Sequence, residues 1–365
     1  MAFTYSEERR SERVIDWIEN TDAGLRIGVS RLGGELISVQ RRDAAGKWIG
    51  FLHRDNDLVA PATGWTGHAT VMGFYLHRLK EGRSVYRGHE ICGGTHSFAR
   101  TKKWHLVEQR DGGLKYRITP DDFSPTEYPL NVSLELTYSI NTIVPSSPSV
   151  IRSVSSVIPS EVEGSRDASL KVTPPDPSTS LRSARDDKKE ERSDPDDGER
   201  VRIQFHFANS EPILSAHVGF GVHPGFAASA FENFQFNMPA GLYRRHLAPG
   251  NFLSGETHDI EFAGGAMPFK REELPRSFII ELVHVSSREF AFEDRASGRA
   301  ATIDVGSAPY LTLWSDGGAF LCIEPCWGLT DAHEQRAFED KLGIQVIPPG
   351  CDLAAECSIA PRLLS

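Results

Sequence analysis

Disulfide partners, membrane spans and surplus positive charge are what this chain of 365 residues lacks. Cysteine is scarce. Cys92, Cys322, Cys326, Cys351 and Cys357 make an odd number with no C-x-x-C pair, which fits free thiols in a reducing cytosol better than a disulfide framework or a zinc knuckle. No run of 18 apolar residues occurs, so no membrane-spanning helix is expected. Lys and Arg number 40 against 50 Asp and Glu, giving a net charge of -10 and a pI of about 5.7. That balance argues against nucleic acid or an anionic membrane as the main partner. The opening stretch MAFTYSEERRSERVIDW is charged and has no apolar h-region, so no secretory signal is expected.

What is present is period-two alternation. Hydrophobic residues make up 39% of the chain, enough for a sizeable core. In NVSLELTYSI, the residues Val132, Leu134, Leu136, Tyr138 and Ile140 share one face; in RVRIQFHFAN, Val201, Ile203, Phe205 and Phe207 do the same. LRIGVSRLGGELISVQ, KWHLVEQRDGGLKYRI, SFIIELVHVSSREFAFED and PYLTLWSDGGAFLCIEP read as strands broken by turns. QRDGGLK and SDGGAF look like hairpin turns, because glycine supplies the positive φ they need. Two short helices are expected, in SEERRSERVIDWIEN and EQRAFEDKL. Many strands with little helix predict an all-β sandwich or barrel, taken as one domain over 1–365.

One segment departs from the pattern. Residues 145–198 are rich in Ser, Pro and charge, and no aromatic residue occurs between Tyr138 and Phe205. Such a stretch cannot bury enough apolar surface to offset its ordering entropy, so disorder is expected. The two best alternating strands flank it, so it reads as an insertion in a hairpin tip. VIPSEVEGSRDASL and DPSTSLRSARDD resemble a translated bacterial interspersed DNA repeat, which implies a neutral insertion. The competing reading, a partner-binding loop, lacks an aromatic anchor.

The chemistry-bearing residues lie in three separated pieces. FLCIEPCWGLTD places an acid, Glu324, inside an apolar run. As a strand, Phe320, Cys322 and Glu324 share one face. A carboxylate taken from water needs partners. GTHSFARTKKW holds His96, Arg100 and Trp104, and GVHPGF holds His223. Taken singly, each of thirteen histidines is more often a satisfied polar residue than a catalyst, and Glu324 alone could sit at a wet strand end.

In this order and spacing, the three pieces resemble the aldose 1-epimerase (mutarotase) family, most closely its bacterial branch of unspecified sugar preference. SRLGGELISVQ, HRLKEGRSVYRGHEI, PYLTLWS and DKLGIQVIPPGCDLAAECSIA extend the resemblance over nearly the whole chain except the insertion and the first dozen residues. It implies a galactose-mutarotase-like β-sandwich, or supersandwich, with a sugar cleft across one sheet and a small-molecule sugar partner, a hexose like glucose or galactose. It implies no metal or redox cofactor. It also implies roles: Glu324 as base toward the anomeric hydroxyl, His223 as acid toward the ring oxygen, and His96 as a second donor. Arg78, Trp327 and Asp331 are candidate substrate-binding residues. Against these stand a surface arginine, core packing for Trp327 and Trp314, and a turn-ending aspartate. Where the family usually carries glycine after the first histidine, this chain has Ser97. The acidic residue many members place before the last third has no clear match; Glu281 is the nearest. Rival readings are a hexose-phosphate mutarotase, which needs a basic cluster at the cleft mouth, and a non-catalytic carbohydrate-binding protein on the same scaffold. The oligomeric state is not encoded in any of these features.

Overall fold

Alternation becomes sheet throughout. The computed structural model describes residues 2–142, 199–268, 270, 272–334 and 336–364. The insertion expected at 145–198 lies outside them. Two large antiparallel sheets form the body, one of nine strands and one of seven, with an N-terminal sheet of five. The two strands singled out for alternation, Val132–Thr142 and Glu199–Asn209, pair along their full length from Val132↔Asn209 to Thr142↔Glu199. Their apolar faces are buried. Phe205 and Phe207 of the nine-stranded sheet pack on Phe220 of the seven-stranded one at ring-centroid distances of 5.2 and 4.9 Å. The core lies between these two sheets.

The hairpin expectations hold. QRDGGLK joins His105–Arg110 to Gly113–Ile118, with Gly112 at φ 73°. SDGGAF joins Tyr310–Trp314 to Phe320–Trp327. The helix expectations do not hold. SEERRSERVIDWIEN is a β-hairpin, Phe3–Arg10 paired with Arg13–Asn20 and turned at Ser11. Its charges pair at i,i+2, Glu7 with Arg9 and Glu8 with Arg10, the spacing of one strand face. Buried Asp16 accepts from Tyr5, Tyr116 and Arg31, a tertiary network that overrides helix propensity. In EQRAFEDKL the described residues form only a three-residue 3-10 turn, Phe338–Asp340. All five cysteines are unpaired. No helix among the described residues is long and apolar enough to cross a membrane.

Because Thr142 and Glu199 are direct ladder partners, a two-residue loop can join them. Replacing residues 143–198 with Asn-Gly, a pair suited to the type I′ turn, is expected to leave cooperative thermal melting intact. A long loop adds only a logarithmic closure cost. Failure of the shortened chain to fold would show that the segment contributes to the fold.

Candidate active site

Register assembles the site on one face of the seven-stranded sheet. Thr70 pairs with His223, and Thr312 with Glu324. The pairs Gly221↔Cys326 and Gly225↔Cys322 set His223 opposite Glu324. Directly opposed residues project from the same face, so Thr70, His223, Glu324 and Thr312 form a row, continued by Ile279. The other parity of Phe320–Trp327 faces the core, and every residue of that strand is buried. The acid in the apolar run therefore stands on a strand covered on both sides, with its carboxylate at a cavity floor.

Two loops complete the cavity. His77 follows the strand Ala69–Met72, and His96 lies in the turn before Phe98. Both adopt positive φ, 52° and 64°, and Ser97 follows at 67°. The His96 N–H donates to the His77 carbonyl at 2.6 Å. Left-handed backbone favours glycine, yet position 97 carries a serine. Serine there accepts strain of about 1–2 kcal/mol.

The cavity has a volume of about 230 Å³. Glu324 Oε2 lies 3.2 Å from His77 Nε2, and Oε1 lies 3.1 Å from His223 Nε2, off the line of a hydrogen bond. An ionised carboxylate only accepts, so the His77 proton sits on Nε2. The rings of His96 and His223 meet edge-on at 5.0 Å. Trp65 stacks on His223 at 4.8 Å. A Cβ at Gly225 would come within 2.5 Å of that indole, so glycine makes its seat. Trp314, Arg78 and Arg100 also line the cavity. Neither arginine forms an ion pair among the described residues; Arg100 makes one long hydrogen bond, 3.4 Å, to the Thr95 carbonyl.

Burial pushes the His223 imidazole below its ordinary value, opposed by the Glu324 charge. His96 is held well below, first by burial and then by its neighbours His223, His77, Arg100 and Arg78. Its Nδ1 is buried without a hydrogen-bond partner among the described residues. This state has a consequence for stability. The unfolded chain takes up a proton near the ordinary value of 6.5, whereas the folded chain resists until lower pH. Stability is thus fully present above that value and lost as pH falls toward the folded one, by at most about 1.4 kcal/mol per pH unit for one proton. His96→Asn is expected to flatten the fall in urea-unfolding free energy between pH 7 and pH 5. An unchanged slope would mean that His96 is protonated in the fold.

The structure brings His96, His223, Glu324 and Arg78 to one cavity and leaves two other sequence candidates outside its lining. Trp327 belongs to the core parity; it stacks on Phe220 at 5.0 Å and donates to Ser307 Oγ. The Asp331 carboxylate is taken by Lys341 and by the backbone N–H of Lys80. Glu281 pairs with His246 at 3.1 Å, also outside the cavity. Sequence reasoning missed His77 and Trp65. His77 stands beside Arg78 in HRLKEGR, but its reach to Glu324 spans 247 residues. Nothing local marks Trp65. His77, Glu324 and Cys326 each offer a metal-ligand atom, all within 4.8 Å of one another. Burial, however, drives the Cys326 thiol well up, which disfavours the thiolate that a metal needs.

No protein-family model and no curated protein matches the chain. Solved structures do match. The galactose mutarotase related enzyme from Lactobacillus acidophilus superposes with a TM-score of 0.70 at 16% identity, covering 99% of this chain and 98% of that one. A galactose mutarotase-like protein from Lactobacillus casei gives 0.69 at 16% identity, covering 95% and 100%. Galactose 1-epimerase from Lactobacillus acidophilus gives 0.59 at 9% identity, covering 100% and 99%. With sheets, register and these likenesses taken together, the chain has the galactose-mutarotase-like β-sandwich fold.

Proposed function

We propose that this protein is an aldose 1-epimerase, interconverting the α and β anomers of a free hexose, glucose or galactose, by acid/base ring opening. One observation carries the reading: the buried Glu324 carboxylate is held between His77 and His223 on a cavity floor. In the forward half, Glu324 takes the proton of the anomeric hydroxyl. The C1–O1 bond becomes a carbonyl, the C1–O5 bond breaks, and O5 takes a proton from His223. Rotation about C1–C2 presents the other carbonyl face, and closure runs the same transfers in reverse. His223 must be an imidazolium to act as acid, and the burial that lowers its proton affinity makes that imidazolium the stronger acid. A positioned acid and base each contribute about 10²–10⁴-fold. His77 holds the carboxylate in place by accepting none of its charge and donating Nε2–H. His96 is a second donor to the sugar, Arg78 grips its hydroxyls, and Trp65 and Trp314 offer apolar faces for its ring. No step in this scheme calls for a metal or redox cofactor. The unpaired cysteines suit a reducing compartment, and we place the protein in the cytosol.

The decisive measurement is interconversion of pure α-glucose and α-galactose, followed by polarimetry or NMR. Acceleration over buffer by wild type, lost in Glu324→Gln, supports the assignment. No acceleration for any sugar would favour a carbohydrate-binding protein. A second reading, a hexose-phosphate mutarotase, is favoured by one observation: the guanidinium groups of Arg78 and Arg100 line the cavity with no ion pair among the described residues. Arginine's fork of donors suits phosphate. A strong preference for glucose 6-phosphate over glucose would establish it.

A further inference from the structure

His223 is buried, and packing rather than hydrogen bonding orients its ring. Its Nδ1 has no hydrogen-bond partner among the described residues, and its Nε2 stands beside Glu324 Oε1, off the line of a bond. Three rings bound it. His96 and Trp314 meet it edge-on at 5.0 and 5.8 Å. Trp65 alone among them stacks on it, with 29° between the planes. Two glycines make the seat of that indole, since a Cβ at Gly67 or at Gly225 would come within 2.5 Å of it. His53 and Phe320 flank the same indole at 5.7 and 5.5 Å. The Trp65 backbone is tied to a turn outside the cavity lining. Its N–H donates to the Asp316 carboxylate at 3.0 Å, and the other oxygen of that carboxylate accepts from the Gly318 N–H at 2.8 Å. Asp316 is exposed. It lies in the hairpin turn that joins Tyr310–Trp314 to Phe320–Trp327, the strand of Glu324.

To give a proton to the ring oxygen, His223 must be an imidazolium, and both nitrogens of that ion are donors. Nε2 has the Glu324 carboxylate beside it, but Nδ1 has no acceptor among the described residues. Burial, His77 and Arg100 oppose the positive charge, and Glu324 favours it. An indole face attracts a cation, more strongly than any other aromatic side chain and more so away from water. From these contacts, and resting on the epimerase reading, we infer that Trp65 is the positioning residue of the acid. Its indole fixes the plane of the His223 ring and favours the charged ring over the neutral one, and the Asp316 carboxylate holds the indole in place. An exposed turn thereby reaches the acid from outside the cavity.

The experiment follows interconversion of pure α-glucose and α-galactose by wild type and by variants at these two positions, with thermal melting alongside. Leucine at position 65 keeps an apolar side chain toward the sugar but has no π face; phenylalanine keeps one. Trp65→Leu is expected to lower kcat by about tenfold or more with KM within about twofold, and Trp65→Phe to bring kcat back to within about threefold of wild type. Asp316→Ala is expected to lower kcat by about threefold or more in the wild-type chain and to have no further effect in Trp65→Leu, because a residue that acts through the indole is silent once the indole is gone. A raised KM with unchanged kcat in Trp65→Leu would overturn the inference and make Trp65 a platform for the sugar. Trp65→Leu as active as wild type, or no recovery in Trp65→Phe, would also overturn it. An Asp316→Ala loss of equal size in both chains would overturn the link from the turn to the acid. Should Trp65→Leu not fold, the milder Trp65→Phe and Asp316→Ala carry the test, and a wild-type kcat in Asp316→Ala then counts against the inference. Each of these outcomes leaves the epimerase reading standing, whereas no acceleration of either sugar by wild type would overturn both.

Discussion

Glu324→Gln is expected to lower kcat by at least about 100-fold while leaving sugar affinity little changed. The amide keeps the shape of the side chain and one acceptor for His77, but it cannot take a proton. The loss falls on kcat because the base acts on a proton in transit, a demand that ground-state binding does not make. His223→Asn is expected to fall in the same way through loss of the acid. The double variant should be far less impaired than the product of the two losses, since the residues work as one unit. Polarimetry on pure α-glucose, read beside thermal melting, separates this outcome from a structural one. A purely structural Glu324 gives a lower Tm with near-normal turnover. Glu324→Gln as active as wild type would remove Glu324 from the mechanism.

Asp331→Asn is expected to destabilise the fold by about 3–5 kcal/mol, the usual cost of breaking one side of a buried pair. Asp331 and Lys341 are each 6% exposed and paired to each other. Asp331 also ties loops together. Its second oxygen accepts the Lys80 N–H at 2.7 Å, its own N–H reaches the Arg78 carbonyl at 3.2 Å, and its carbonyl accepts from Leu253. These bonds set the segment that carries His77 and Arg78. Burial already lowers the Lys341 amine, opposed by Asp331. Without that opposition burial lowers the folded amine further, whereas the unfolded chain holds its proton up to about 10.4. The folded value is thus depressed, so the variant's stability is lowest at neutral pH and recovers as pH rises toward the unfolded value. Urea unfolding at pH 7 and pH 9.5 reads this directly. Lys341→Met in the same chain should restore part of the loss by removing the stranded charge. A loss below about 1 kcal/mol, or one independent of pH, would show that the pair is not what holds this corner.

Sheet content was legible in the alternation alone. Alternation in NVSLELTYSI and RVRIQFHFAN names the strands, and an alternating pair with apolar faces has few arrangements other than a ladder. Turn glycines fixed two hairpins, because positive φ is a local demand. The motif pieces around His96, His223 and Glu324 were also legible in order. Their meeting was not, since His77 and Glu324 are 247 residues apart and only sheet register brings His223 opposite the acid. The N-terminal hairpin went unread because its charges satisfy helical and strand spacings alike, and the choice was made by distant Tyr116 and Arg31 on Asp16. The same holds for Trp327 and Asp331. Both lie in the right motif, but strand parity turns the indole to the core and Lys341 claims the carboxylate. Local sequence sets periodicity and turn conformation, because those depend on a few neighbouring residues. Which side chains share a cavity depends on long-range pairing and on competition among polar partners, and only the tertiary structure decides those.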